Sequence, residues 1–357
     1  MSKPKILLIG SVPPPVGGVA VSFKLLVDIL KQNDEIEIRV LDIAQLRRSS
    51  GNSFSFVFKF AARLWRQIGQ CDVATLYCAT TSIWTVGLMT LVQSKVRGKP
   101  FLLRKAASKD YEHEDFGFLK SRINAWVVRH ADLFLAQTKS LVETTRSRGI
   151  KHVQWYPTTR PSWSGVAEES DHDQFRFVFI GHVRESKGIR ELIAASNHVS
   201  SLATVDIYGP LFDGLTKENI ESGNLRVQYL GALSPENVQP TMAKYDAMIL
   251  PTKAMSEGYP GAILEAFNVG LPIITTNIGG IPELVDPTCA IVVPPGDIHS
   301  LANAMQQLAE SKEIAAKLRR GSRGQSELFN AEMWANRFVG FCRSLIERRK
   351  MQKADLK

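Results

Sequence analysis

Hydrophobic positions along the chain alternate between two textures: short, mostly apolar runs, and longer stretches where apolar residues return every three to four positions. The runs Lys5–Ile9, Ile36–Leu41, Val73–Cys78, Pro100–Leu103 and Leu133–Ala136 predict strands, and Val19–Lys31, Ile83–Val92 and Arg122–His130 predict helices. From Tyr156 to Gln174 the pattern lapses into polar text with two prolines, which predicts a linker. The alternation then restarts, with strands at Phe175–Ile180, Thr204–Tyr208, Val227–Leu230, Ala247–Leu250, Pro272–Thr275 and Ala290–Val293. Helices are predicted at Gly188–Asn197, Pro260–Val269, Ile281–Val285 and Ile298–Leu308. Buried strands alternating with helices predict doubly wound parallel sheets, an α/β chain. The expected division is a domain over 1–160, a linker over 161–174, a second domain over 175–325 and a helical tail over 326–357 that packs back toward the first domain. A cleft facing the carboxyl ends of the two sheets is the expected ligand site.

Composition narrows the class. The 357 residues, 44% hydrophobic and 22% charged, exclude wholesale disorder, collagen and a coiled coil. Four scattered cysteines without a C-x-x-C pair exclude a zinc ribbon or disulfide scaffold and predict a reducing cytosol. The opening run is too short for a signal peptide. Val73–Ser94 carries no charge, but its threonines and Gln93 predict a strand and a buried helix rather than a membrane span. Residues 1–160 hold 24 Lys/Arg against 12 Asp/Glu, net +12; residues 161–357 hold 20 against 23, net −3. The first half is therefore expected to meet something anionic. Phe54–Gln70 sharpens this. Lys59, Arg63 and Arg66 recur at helical spacing, with Val57, Ala61, Leu64 and Ile68 on another face, so a basic amphipathic helix on an anionic membrane is expected. The competing reading is a helix packed on its own sheet with a solvated basic edge.

Three motifs carry candidate chemistry. The loop from Gly10 to Gly17 and Gly18 precedes the first helix, where backbone amides bind phosphate. Three prolines occupy its middle, so it is not the dinucleotide fingerprint G-x-G-x-x-G, although Asp42 ends the second strand where a ribose-binding acid would stand. The second motif runs from Gly181 through His182, Arg184 and Lys187 to Gly188: cations at a strand's carboxyl end beside a helix start suit a diphosphate. The third is EGYPGAILEAFNVGLP, from Glu257 to Pro272. Its helix is apolar nearly all round, with Glu265 its one charge, and a buried carboxylate needs hydrogen-bond donors such as a polyhydroxyl ligand supplies. Glu257 lies eight positions upstream, at most ~12 Å along a helix axis. A structural Glu265 and a capping Glu257 fit the same text.

G-x5-K-G after a second-domain strand, followed by E-x7-E inside EGYPGAILEAFNVGLPII, resembles the retaining glycosyltransferases of family 4 (glycosyl transferases group 1). Gly209 after a strand, Tyr229 to Gly231, Leu250 to Thr252 and Gly279 to Glu283 support the likeness. The resemblance implies two Rossmann-like doubly wound α/β domains facing a cleft (GT-B). It implies retaining, metal-independent transfer of a hexose from a UDP- or GDP-hexose to a saccharide or lipid-linked acceptor, in cell-surface polysaccharide assembly. No cofactor beyond the nucleotide-sugar co-substrate and no nucleic acid partner is implied, and the location implied is cytoplasmic or peripheral on the inner membrane face. By resemblance, Lys187 with Arg184 contacts the diphosphate, Glu265 the ribose, and Glu257 with Gly258, Tyr259, Pro260 and Gly261 the donor sugar. Gly17 and Gly18 approach the phosphate, and Gly181, His182, Gly209 and Gly231 complete the donor set. Glu257, Lys187 and Arg184 are the expected catalytic residues. The chain departs from the family at three places: His182 stands where the family has Arg, Arg104 and Lys105 stand where a His-Gly is usual, and Thr158 with Thr159 replaces an asparagine. Arg104 and Lys105 are the expected acceptor-side residues, and no metal site is expected. Other readings are a nucleotide-sugar epimerase of the same fold and a non-catalytic nucleotide-sugar-binding protein.

Overall fold

A computed structural model describes residues 3–14, 17–106, 110–112, 117–165, 174–199, 203–222 and 226–355. Ala107, His113 and most of the expected linker lie outside the described residues. The chain forms two compact units, Met1–Arg160 with Ala331–Lys357, and Pro161–Asn330.

The first unit runs β1 (Lys5–Gly10), α1 (Gly18–Lys31), β2 (Glu37–Asp42), α2 (Ile43–Arg48), α3 (Ser53–Ile68), β3 (Val73–Cys78), α4 (Leu88–Val96), β4 (Phe101–Lys105), α5 (Phe118–His130), β5 (Leu133–Ala136), α6 (Lys139–Ser147) and β6 (Val153–Trp155). Its strands form one parallel sheet in the order β2-β1-β3-β4-β5-β6. Period-two alternation splits each strand between two cores. Leu7, Ile9, Leu76 and Leu103 pack under α3 to α6, whereas Ile6, Leu8, Tyr77 and Leu102 face α1. Helix α1 is too short to cover that second face alone. The covering is completed by the last helix of the chain, which sets Trp334, Phe338, Cys342 and Ile346, at i, i+4, i+8 and i+12, into the same core. The Tyr156 hydroxyl donates to the Trp334 carbonyl at 3.2 Å, and the two rings meet edge to face.

The second unit continues with β7 (Phe175–Ile180), α7 (Ile189–Ser196), β8 (Ala203–Tyr208), α8 (Lys217–Glu221), β9 (Val227–Tyr229), α9 (Val238–Met242), β10 (Ala247–Leu250), α10 (Gly261–Val269), β11 (Ile273–Thr276), β12 (Ala290–Val293), α11 (Ile298–Glu310) and α12 (Lys312–Ser326). The remaining helix, α13 (Ala331–Ala354), is the one that returns to the first unit. The sheet order is β12-β11-β10-β7-β8-β9, again all parallel. In both sheets the first strand is internal, second from the edge in the first sheet and central in the second, and the chain moves out to one side and then the other, which creates a switch point beside β1 and another beside β7. Val73–Ser94 is β3, a 3₁₀ turn (Thr80–Ser82), a π-helical turn (Ile83–Gly87) and most of α4, and no helix among the described residues is long and apolar enough to cross a membrane. Where a helix was expected over Ile281–Val285 there is a single 3₁₀ turn at Ile281–Glu283.

Candidate functional site

The second motif begins at the switch point, where β7 lies between β8 and β10. Three glycines close the strand ends. The Gly181 amide donates to the Tyr208 carbonyl at 3.1 Å, and the Gly209 amide to the Gly231 carbonyl at 2.8 Å. Gly209 has φ +142°, and a Cβ there would sit 1.7 Å from the Gly181 carbonyl oxygen, so only glycine lets these turns stack.

From this floor the basic loop rises through a 3₁₀ turn, Glu185–Lys187, into α7. It is tied to the segment after β10: the Lys253 amide donates to the Ser186 carbonyl at 2.8 Å, and the Thr252 hydroxyl to the same oxygen at 3.3 Å. That tie brings the second and third motifs together. Lys187 Nζ is ion-paired with Glu257 Oε2, and both side chains are largely buried. Glu257 is held from behind, since its carbonyl accepts from the Gly280 amide at 2.8 Å. A Cβ on Gly279, at φ +58°, would fall 2.2 Å from that carbonyl oxygen.

The other expected donor residues separate by what their side chains do. Arg184 turns toward the loop after β8, 3.2 Å from Asp213, with its guanidinium 5.1 Å from the Phe212 ring centroid. His182 packs on the other neighbour of that group, its ring 4.8 Å from Phe212. Tyr259 is buried, donates to Glu283 at 2.6 Å and meets Phe329 edge to face, so its phenol is committed to the fold. Gly258 and Pro260 are buried with it, and Pro260 is the residue before the first turn of α10 rather than within it. Glu265 is half-buried, not enclosed. With Gly261, Ala262 and Asn268 it forms the open stripe of α10, while Ile263, Leu264, Ala266, Phe267 and Val269 form the core face. The helix is amphipathic with a narrow polar edge, because alanine and glycine at that edge read as apolar in the sequence.

In the first unit, Gly17 precedes α1 and its carbonyl accepts from the Val21 amide at 2.9 Å. Among the described residues, a Cβ at Gly17 or Gly18 would meet nothing within 4 Å. Asp42 is occupied: one carboxylate oxygen accepts from the amides of Ala44 (2.9 Å) and Val12 (3.1 Å), capping α2 and bracing the loop. That cap accounts for an aspartate at this strand end. Arg104 and Lys105 are fully buried in β4. Arg104 Nη2 donates to the carbonyls of Tyr156 and Pro157, each at 3.1 Å, and its guanidinium lies 4.5 Å from the Tyr77 ring. Neither side chain is presented at the surface for an acceptor. Burial pushes the Lys105 ammonium down to about 7, only partly opposed by Cys78 and Asp110. Thr158 is buried and accepts from the Gln137 amide.

Two supporting residues were not singled out from sequence, Asp213, which holds Arg184, and Lys253, whose ammonium meets Glu191 at 2.6 Å; Glu283 was named only as part of a motif, without its role of holding Tyr259. The Asp213–Gly214 turn text marks the first of them.

Residues 174–311 match the family model described as Glycosyl transferases group 1. This segment is similar to the group 1 glycosyltransferases. The O-antigen chain mannosyltransferase C of Escherichia coli is 26% identical over 182 residues, 50% of this chain and 49% of its own. A glycogen synthase of Mycobacterium tuberculosis is 25% identical over 221 residues, 56% of this chain and 51% of its own. The chain thus spans about half the length of the curated relatives it matches. Among solved structures, Anabaena HepE in complex with UDP aligns with a TM-score of 0.75 at 17% identity, over 95% of this chain and 100% of that one. The sucrose-phosphate synthase of Thermosynechococcus elongatus aligns at 0.73 and 16%, over 97% and 100%. These alignments and the two six-stranded parallel sheets give the chain the two-domain α/β fold of GT-B glycosyltransferases.

Proposed function

We propose that the chain is a retaining, metal-independent hexosyltransferase that uses a nucleoside-diphosphate hexose and delivers the sugar to a saccharide or lipid-linked acceptor in polysaccharide assembly. The observation that carries this reading is the Lys187–Glu257 ion pair at the switch point of the unit that matches group 1 glycosyltransferases. In the free protein the two charges satisfy each other. A bound diphosphate offers Lys187 a second anionic partner and releases Glu257 toward a hydroxyl of the transferred sugar. Together with the amides that open α7 and α10, Lys187 supplies positive potential where the leaving diphosphate gathers charge, the task a divalent cation performs in other transferases. Glu265, on the open stripe of α10, is assigned to the ribose. The solved complexes of HepE with UDP and UDP-glucose and the naming of the relatives as mannosyltransferase and glycogen synthase support a nucleotide-sugar donor.

The test is a transfer assay with UDP- and GDP-hexoses in the presence of EDTA, with the product anomer read by NMR. The reading expects nucleotide release coupled to a product of the donor's anomeric configuration, undiminished by the chelator. Inversion, or loss of activity on chelation that added metal restores, overturns the corresponding part.

A further inference from the structure

We infer that α3, α4 and α5 form one face that docks on an anionic lipid bilayer. The three helices cover the same side of the first sheet. They are joined edge to edge: Gln93 of α4 donates to the Ala61 carbonyl of α3 at 3.2 Å, and Arg97 at the end of α4 stacks 3.9 Å over Trp65 of α3. Lys120 of α5 lies 5.0 Å over Trp84, just before α4. Across the three helices the sequence has seven Lys/Arg and no Asp or Glu.

The outer side is apolar as well as basic. Helix α3 anchors to its own sheet through Phe56, Phe60, Leu64 and Ile68, which satisfies its inward face completely. Its remaining large side chains point away from that core: Phe54 is 85% exposed and Phe58 72%. Helix α5 repeats the arrangement with Phe118 (78%) and Leu119 (70%), and α4 adds Val96 (68%). A solvated basic edge explains the cations but not five large apolar groups left in water beside them. Phenylalanine and tryptophan among lysine and arginine are what a bilayer interface accommodates, apolar rings in the acyl boundary and cations at the phosphates. Two grooves flank the layer. One, about 520 Å³, is bordered by Arg39, Arg63 and Arg66. The other, about 620 Å³, is bordered by Arg122 and Arg129 beside Phe118 and Trp126. Among the described residues, Asp132 cancels Lys95 and Glu112 faces Arg148, while Asp42 keeps its charge at the border of the first groove, so the positive field rests on the six remaining helix cations. Charge complementarity selects an anionic bilayer as the occupant.

The inference is independent of transfer activity, and its test needs none. Full-length protein is mixed with phosphatidylcholine vesicles containing either no phosphatidylglycerol or about one third of it, and bound protein is recovered by flotation at low and high salt. Binding to the anionic vesicles alone, weakened by salt, is expected. Arg63→Gln with Arg66→Gln lowers the partition coefficient about fivefold per cation removed. Phe54→Ser with Phe58→Ser lowers it roughly tenfold or more, with unchanged far-UV circular dichroism. Equal recovery from both vesicle types, recovery from neither, or indifference to both double variants overturns the inference. So does sedimentation showing a dimer that Phe54→Ser with Phe58→Ser dissociates, because the face would then belong to a second copy.

Discussion

Lys187 and Glu257 meet across 70 positions of sequence, and their pairing changes what substitution of either should do. Taken one at a time from the sequence, the two have separable roles, diphosphate and sugar. Paired, they are coupled. Lys187→Ala removes the cation and leaves a carboxylate beside the diphosphate, whereas Glu257→Ala frees the cation for the nucleotide. Calorimetry should therefore find that Glu257→Ala binds the nucleoside diphosphate at least as tightly as wild type while transfer falls. The double variant should bind it better than Lys187→Ala alone, with a coupling energy of about 0.5–3 kcal/mol. Additive effects would mean that the pair does not persist in solution. The residue types were legible because lysine before Gly188 and glutamate before the helix proline stand in recognisable text; their contact was not, because it depends on Ser186 accepting from Lys253 and Thr252. A second residue-scale prediction concerns Lys105. Its folded pKa, near 7, lies below the unfolded value of ~10.4, so above pH ~7 the unfolded chain holds a proton that the folded chain lacks, and stability rises with pH. Burial pushes the Cys78 thiol up to about 12 and Cys71 to about 11, so above pH ~9 the folded chain keeps protons that the unfolded chain loses, and stability falls. Thermal unfolding should show the first unit gaining stability between pH ~7 and ~9, and Lys105→Met should flatten that rise. A wild-type rise that survives Lys105→Met would show the lysine to be charged when folded.

At the scale of elements, period carried most of the information and context the rest. The strands other than β6, whose three residues Val153–Trp155 gave no readable run, were legible as short, mostly apolar stretches, and α1, α5, α7 and α11 from their three-to-four spacing. Helix α3 lies where expected, but Leu64 and Ile68, expected with Val57 and Ala61 on the apolar face toward a membrane, join Phe56 and Phe60 in the core instead. A helix apolar on two sides has no unique inward face until the sheet beneath is known. The return of α13 follows from layer arithmetic, since a doubly wound sheet with only α1 on one face leaves Leu102 and Leu135 uncovered without it. Phe338, fully enclosed between α1 and the sheet, is the sharpest probe of that packing. Phe338→Ala should cost about 3–5 kcal/mol in chemical denaturation of the first unit, with little change in nucleotide affinity. A loss below about 1 kcal/mol would mean that α13 contributes little to that core.

Across the whole molecule, chemistry and charge divide between the units. The matched glycosyltransferase segment, the Lys187–Glu257 pair and the open stripe of α10 all lie within residues 161–330, whereas the positive half of the chain carries the layer of exposed aromatic and basic side chains. The acceptor-side reading of Arg104 and Lys105 failed to anticipate their burial because a strand's last residues look the same in sequence whether they point at solvent or beneath the next turn. The central claim, a nucleoside-diphosphate site built on Lys187, is tested most directly by titrating UDP and GDP into wild type and Lys187→Ala by calorimetry in the presence of EDTA. The account predicts single-site binding of at least one of the two, weakened about 10- to 150-fold by the substitution, the value of one charge-assisted bond of about 1.5–3 kcal/mol. Absence of binding by both nucleotides, or equal affinity in the two proteins, would contradict it.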